Sequence, residues 1–183
     1  FRHPELSNKI NILEPIIIEY EEYMNYEKQS LEEKNKDKKL EYNNLAMSSL
    51  AETNRLISSL TTMVMQEKQE QKDPFWNESA KNLLEGIIGF FLEEYKLGNI
   101  TREKITMTSI RKFQNSTMEV QNSKKFKDYI NKRPYGSKSK DALVSILSAS
   151  DNTYKSITAV FGQKMNIFDD INVANVTSTS DFN

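Results

Sequence analysis

Apolar residues recur along most of this chain at intervals of three and four, the spacing of one face of a helix. The first run takes in Ile12, Ile16, Tyr20, Tyr23, Met24 and Leu31. Pro15 falls in its first turn, where a missing N–H costs nothing. The stretch Glu32 to Lys39 has no apolar residue and reads as a solvated helix end and turn. A second helix is predicted over about 41–71, on Ala46, Leu50, Thr53, Ile57, Leu60 and Val64, with Leu45, Leu56 and Met63 widening the stripe. Two long helices with a short polar join predict an antiparallel hairpin.

The sharpest helix start is Asp73-Pro74-Phe75-Trp76, with Asp73 as cap and Pro74 preorganised at the first helical position. The run that follows, Ala80, Leu83, Leu84, Ile87, Ile88, Phe91, Leu92 and Tyr95, is broad enough to predict a central helix. Gly86 and Gly89 lower helix propensity there, which suggests a close approach by a neighbouring helix. Gly98 fits the residue just past the end. Trp76 is expected to be buried, and Phe75, Phe90 and Phe91 to pack as core.

Short helices are predicted after Thr106, on Met107, Ile110 and Phe113, and around Phe126, Tyr129 and Ile130, the latter stopped by Pro134 and Gly136. One last long helix is predicted over 139–168, on Leu143, Ile146, Leu147, Ser150, Tyr154, Ile157, Phe161, Met165 and Phe168. Beyond Asp169-Asp170, Ile171, Val173 and Val176 alternate with polar residues and predict an extended, half-buried segment. Two carboxylates at a helix C-terminus oppose the helix dipole, and nothing in the sequence accounts for them.

The chain is thus read as an all-α helical bundle over 12–170. An irregular segment, 1–11, precedes it, and an extended segment, 171–183, follows. Few Gly and Pro and no Cys suit this class and leave no disulfide or thiolate chemistry. No apolar run approaches the ~20 residues that cross a bilayer. No catalytic constellation assembles. The single histidine, His3, reads as a terminal residue, no G-x-x-x-x-G-K-[ST] loop occurs, and no serine has a nominated base. No metal site is nominated, and a binding module is expected rather than an enzyme.

Charge is unevenly spread despite a net formal charge of -1. The opening helix carries Glu14, Glu19, Glu21, Glu22, Glu27, Glu32 and Glu33, with Lys28 as the nearby cation. Glu19, Glu21, Glu22 and Glu27 form a candidate acidic partner-binding face. A basic segment carries Lys124, Lys125, Lys127, Lys132, Arg133, Lys138 and Lys140, against Asp128, with Tyr129 and Tyr135 interleaved. Cations with aromatics suit phosphates and exposed bases. They equally suit an acidic protein, or a solubilising loop.

Lys72-Asp73-Pro74-Phe75-Trp76-Asn77-Glu78-Ser79-Ala80, followed by Leu83-Leu84, resembles the signature of the VirD4/TraG-type coupling proteins of type IV secretion, in their Gram-positive branch. Ser7-Asn8-Lys9-Ile10-Asn11-Ile12-Leu13-Glu14-Pro15-Ile16 is similar to the segment that leaves the ATPase core in that family. Ser156-Ile157, and Asp169-Asp170-Ile171 through Thr177-Ser178-Thr179-Ser180-Asp181-Phe182, resemble the segment that re-enters it. Residues 99–140 take no part in the likeness.

The resemblance implies an all-α domain inserted into the nucleotide-binding domain of a membrane-anchored, hexameric parent ATPase. ATP and Mg would bind that parent, outside this stretch, and the two ends of the domain would lie close together. The domain would sit on the cytoplasmic side of the cell membrane, be monomeric in isolation, and act in plasmid conjugation. Its partners would be the relaxase and accessory DNA-processing protein of the relaxosome, and DNA itself in the alternative reading. The resemblance carries over no binding residue.

Overall fold

The computed structural model describes residues 9–66, 74–118 and 120–178. Among them are eight α-helices and no strand. His3, the cap assigned to Asp73, the end of the second predicted helix and the last residues of the tail lie outside the described residues.

A helix that is apolar nearly all round belongs at the centre of a helical protein, and α3 (Pro74–Lys96) takes that place. Every residue from Leu83 to Leu92 is buried. Helix α6 (Lys138–Leu147) crosses close to it at the two glycines. A Cβ on Gly86 would lie 2.5 Å from Leu143, and one on Gly89 would lie 2.8 Å from Lys138. The glycines are therefore the contact surface for α6. Gly98, at φ 74°, ends α3 in the left-handed region. The Gly98 N–H then donates to the Tyr95 carbonyl and the Asn99 N–H to the Glu94 carbonyl, each at 2.9 Å.

Helices α1 (Glu14–Glu32) and α2 (Lys36–Met65) form the predicted hairpin. Asn35 caps α2 by accepting from the N–H groups of Asp37 and Lys38 at 3.0 and 3.1 Å. This cap starts α2 earlier than the apolar pattern indicates, so the second half of the charged run, Lys36 to Lys39, is first-turn helix. Near the tip the hairpin seam is polar: the Ser30 hydroxyl, itself buried, donates to Asn43 at 2.6 Å. Leu31 faces solvent there.

Helices α4 (Met107–Thr117) and α5 (Val120–Asn131) lie where the sequence offered the weakest pattern. Aromatic rings hold them to α3. Phe90, Phe113 and Phe126 form a triangle with centroids 5.2–5.3 Å apart, and Phe91 meets Phe113 at 5.6 Å. Phe90 and Phe91 are core as expected, but Phe75 is exposed and Trp76 is only half-buried, edge-on to Phe75.

The single helix predicted over 139–168 is instead α6 and α7 (Asp151–Met165), followed by a 3-10 turn over 166–169. Ser150 makes the break, its hydroxyl accepting from the Thr153 N–H at 3.4 Å. The segment predicted to be extended is also helical over α8 (Ile171–Thr177). The Asp170 carboxylate accepts from the N–H groups of Asn172 and Val173 at 2.7 and 3.2 Å, and so starts another helix. Asp169 forms a fork with Arg111 at 2.8 Å. The two carboxylates thus have work unrelated to the end of α7: one pins α4 and the other caps α8. The Ile10 N–H donates to the Val176 carbonyl at 2.8 Å, which brings the two ends of the described chain side by side.

Candidate partner-binding surface

The acidic face of α1 is largely answered from within the fold. Arg102 reaches Glu14 at 2.6 Å and Glu21 at 3.0 Å, and the Tyr95 hydroxyl donates to Glu21 at 2.7 Å. Lys96 reaches Glu27 at 2.5 Å, and the Tyr23 hydroxyl donates to Glu27 at 2.8 Å. Burial pushes the Glu27 carboxyl up, but the hydrogen bonds from Lys96 and Tyr23 prevail and hold it below the usual carboxylate range. Of the four residues assigned to this face, Glu21 and Glu27 are so engaged. Glu22 is exposed and Glu19 half-buried, and among the described residues neither has an ion-pair partner.

The basic segment divides in the same way. Arg133, on the turn after α5, lies against Glu93 and Glu94 of α3, with its side chain only 10% exposed. Its guanidinium also sits 5.0 Å from the Tyr129 ring centre and 5.6 Å from that of Phe90. Lys138 reaches Glu85 at 2.6 Å. The Lys140 ammonium donates to the carbonyls of Asn131 and Arg133 at 3.0 and 2.7 Å, and covers the Tyr135 ring. The Tyr129 hydroxyl donates to Glu94 at 2.9 Å, and the Ser139 N–H donates to Glu93 at 3.0 Å. Lys124, Lys125, Lys127 and Lys132 have no ion-pair partner among the described residues.

Glu85, Glu93 and Glu94 are what hold the basic segment to α3, and the sequence pattern did not single them out. Their signal was present: acids inside an almost continuous apolar helix need buried partners. Of the signature residues, Pro74, Phe75 and Trp76 form the first turn of α3 and lie apart from these charge pairs.

A groove of about 620 Å³ opens between the hairpin, α3 and the turn joining α5 to α6. Leu50 and Ile57 of α2 and Leu92 of α3 give it an aliphatic floor. Tyr20, Tyr23, Tyr129 and Tyr135 stand around it, half of the chain's eight tyrosines. Tyr135 is 95% exposed at the mouth. Tyr20 is buried, and among the described residues its hydroxyl has no hydrogen-bond partner; burial pushes that hydroxyl well above the usual tyrosine range. The walls come from five helices, α1, α2, α3, α5 and α6, and the turn between the last two, so no local pattern foretold the groove. Its size lies in the range of small-molecule and peptide-anchor sites.

Among the described residues no group of His, Asp and Glu is placed to hold a metal ion, and no helix is long and apolar enough to cross a membrane.

Residues 21–183 match the family model described as type IV secretory system conjugative DNA transfer. The chain belongs to this family. The match covers α3 with its Pro74-Phe75-Trp76 start, and it also takes in α4 and α5, where the sequence showed no likeness. No curated protein and no solved structure gives a significant match. For this conjugative DNA-transfer domain the surface elements without an internal partner are the groove, the four unpaired lysines and the exposed part of the acidic face.

Proposed function

We propose that this domain docks protein cargo, the relaxase and its accessory factor, onto a conjugative coupling ATPase, and does no covalent chemistry itself. The observation that carries this reading is the inward commitment of three of the seven basic residues, Arg133, Lys138 and Lys140. Arg133, the residue best shaped to grip a phosphate, is spent on Glu93 and Glu94, and Lys138 on Glu85. The surface that remains includes a tyrosine-lined groove, and tyrosines with an apolar floor favour protein contacts. The parent is a hexameric ATPase of the VirD4/TraG type, from a Gram-positive plasmid system, anchored in the cell membrane. It holds ATP and Mg in its own nucleotide-binding domain, with this domain inserted there on the cytoplasmic side. The adjacent ends, joined through Ile10 and Val176, suit such an insertion. The isolated domain is a monomer. Cargo held here is concentrated beside the channel without any new chemistry.

The second reading, a DNA-binding module, draws on Lys124, Lys125 and Lys132, which are exposed on and after α5, and on the half-buried Lys127. The two are separated by immobilising the domain and offering the nuclease-treated cognate relaxase, its accessory protein, and single- and double-stranded DNA at physiological salt. Capture of relaxase is the expected result. Capture of DNA alone, abolished when the four lysines become Ala, would move the function to nucleic acid.

A further inference from the structure

The groove is apolar where it is deep and cationic where it opens. Its length along α3, from Gly89 to Leu97, is about 12 Å, which accommodates two helical turns or about four extended residues. The acids behind the α5–α6 wall already have partners in Arg133, Lys138 and Ser139. Lys132 lines the mouth and has no ion-pair partner among the described residues. Lys125 lies one turn before Tyr129 on the same face of α5. Within 124–140 the remaining acid is Asp128 against four unpaired lysines, so this wall keeps an excess of positive charge after its internal pairing.

We propose that the groove is the docking site for a short acidic segment of a protein partner, with an apolar or aromatic side chain entering between Leu50, Ile57 and Leu92 and neighbouring carboxylates meeting Lys132 and Lys125. The Tyr20 hydroxyl, free in the floor, offers the entering segment a hydrogen-bond donor. A nucleic-acid strand fits less well. Asp141, with no ion-pair partner among the described residues, lines the same groove and disfavours the evenly spaced charges of a phosphate backbone, while a short peptide can place its carboxylates at Lys132 and Lys125, away from it. This assignment rests on the docking function proposed above, and it names the surface and the chemistry of the cargo.

The test uses fluorescent peptides in which one Leu, Phe or Trp is flanked by Glu, the same set flanked by Lys, and an oligo-thymidine strand, titrated with the domain by anisotropy. Two variants probe the groove: Asn54→Trp, which fills it from α2, and Lys132→Glu, which reverses its rim charge. Lys155→Glu, on the exposed side of α7, is the control. Glu-flanked peptides should bind about tenfold tighter than Lys-flanked ones. Asn54→Trp should weaken them about tenfold, and Lys132→Glu about threefold to tenfold, with Lys155→Glu unchanged. Equal binding of both sets, binding by neither, insensitivity to both groove variants, or displacement by the oligonucleotide would overturn the assignment. The same variants offered relaxase separate the two proposals. Capture by the wild type that survives Asn54→Trp unchanged sinks the groove and leaves docking intact. Peptide binding that responds to the variants without relaxase capture sinks relaxase docking and upholds the groove.

Discussion

Replacing Arg133 by Met should destabilise the domain far more than losing a surface cation does. The side chains of Arg133 and Glu94 are each only 10% exposed. Met keeps much of the volume and strands the Glu94 carboxylate among buried groups. Removing one member of a buried pair costs about 3–5 kcal/mol. Glu94 would keep hydrogen bonds from the Tyr129 hydroxyl and the Asn99 amide, each at 2.9 Å, and Glu93 would keep Ser139. The low end, about 3 kcal/mol, is therefore expected. For a chain of this size that lowers Tm by about 6–12 °C. The double variant Arg133→Met/Glu94→Gln removes the stranded charge, keeps one accepting oxygen for the Asn99 amide and turns its NH2 to donate to the Tyr129 hydroxyl oxygen, so it should recover about 1.5 kcal/mol. Urea denaturation followed by far-UV circular dichroism, on wild type, both single variants and the double, measures each term. If Arg133→Met unfolds within about 0.5 kcal/mol of wild type, the reasoning fails, because that is what an exposed cation gives.

Three further outcomes follow from the packing and the charge pairs. Gly86→Ala gains about 1 kcal/mol of helix propensity but drives a Cβ to 2.5 Å from the buried Leu143 side chain, an overpacking cost of about 1–3 kcal/mol; a lower urea midpoint is expected, and a higher one contradicts the close α3–α6 contact. The Glu27 carboxyl is held below its ordinary value, so its stabilisation is complete above the unfolded carboxylate pKa, about 4.3, and is lost as pH falls through the lowered value. Wild type should then lose more stability on acidification below about pH 4 than Glu27→Gln does, and parallel pH profiles would refute the pairing. Asp170→Ala removes both bonds that start α8 and should cost about 1 kcal/mol there, read as faster amide exchange over α8; unchanged protection would show that the cap is idle.

Helices with sustained three-and-four spacing were legible in the sequence: α1 and α3 stand where the pattern put them, α2 does so apart from its earlier, Asn35-capped start, and the hairpin and the role of Gly86 and Gly89 were legible too. The break at Ser150 was not, because Leu147, Ser150 and Tyr154 keep helical spacing across it and periodicity is blind to a cap. The run Ile171, Val173, Val176 satisfied the strand pattern, yet the Asp170 cap decided for helix. The charged faces were legible as composition but not as availability. Arg102 finds Glu14 and Arg133 finds Glu94 across long separations in sequence, and spacing alone cannot tell a free charge from a spent one. Trp76, at the edge of α3, followed the stripe only in part.

Protein docking is tested most directly by measuring the affinity of the domain for cognate relaxase and for DNA across a series of salt concentrations. A DNA reading in which Lys124, Lys125, Lys127 and Lys132 each neutralise a phosphate requires a slope of log affinity on log salt of about −3 to −4. Docking of protein cargo predicts relaxase binding that persists at physiological salt with a slope well short of that, and DNA binding that is weak or absent. Tight DNA binding with the steep slope, beside no measurable affinity for relaxase, would contradict it.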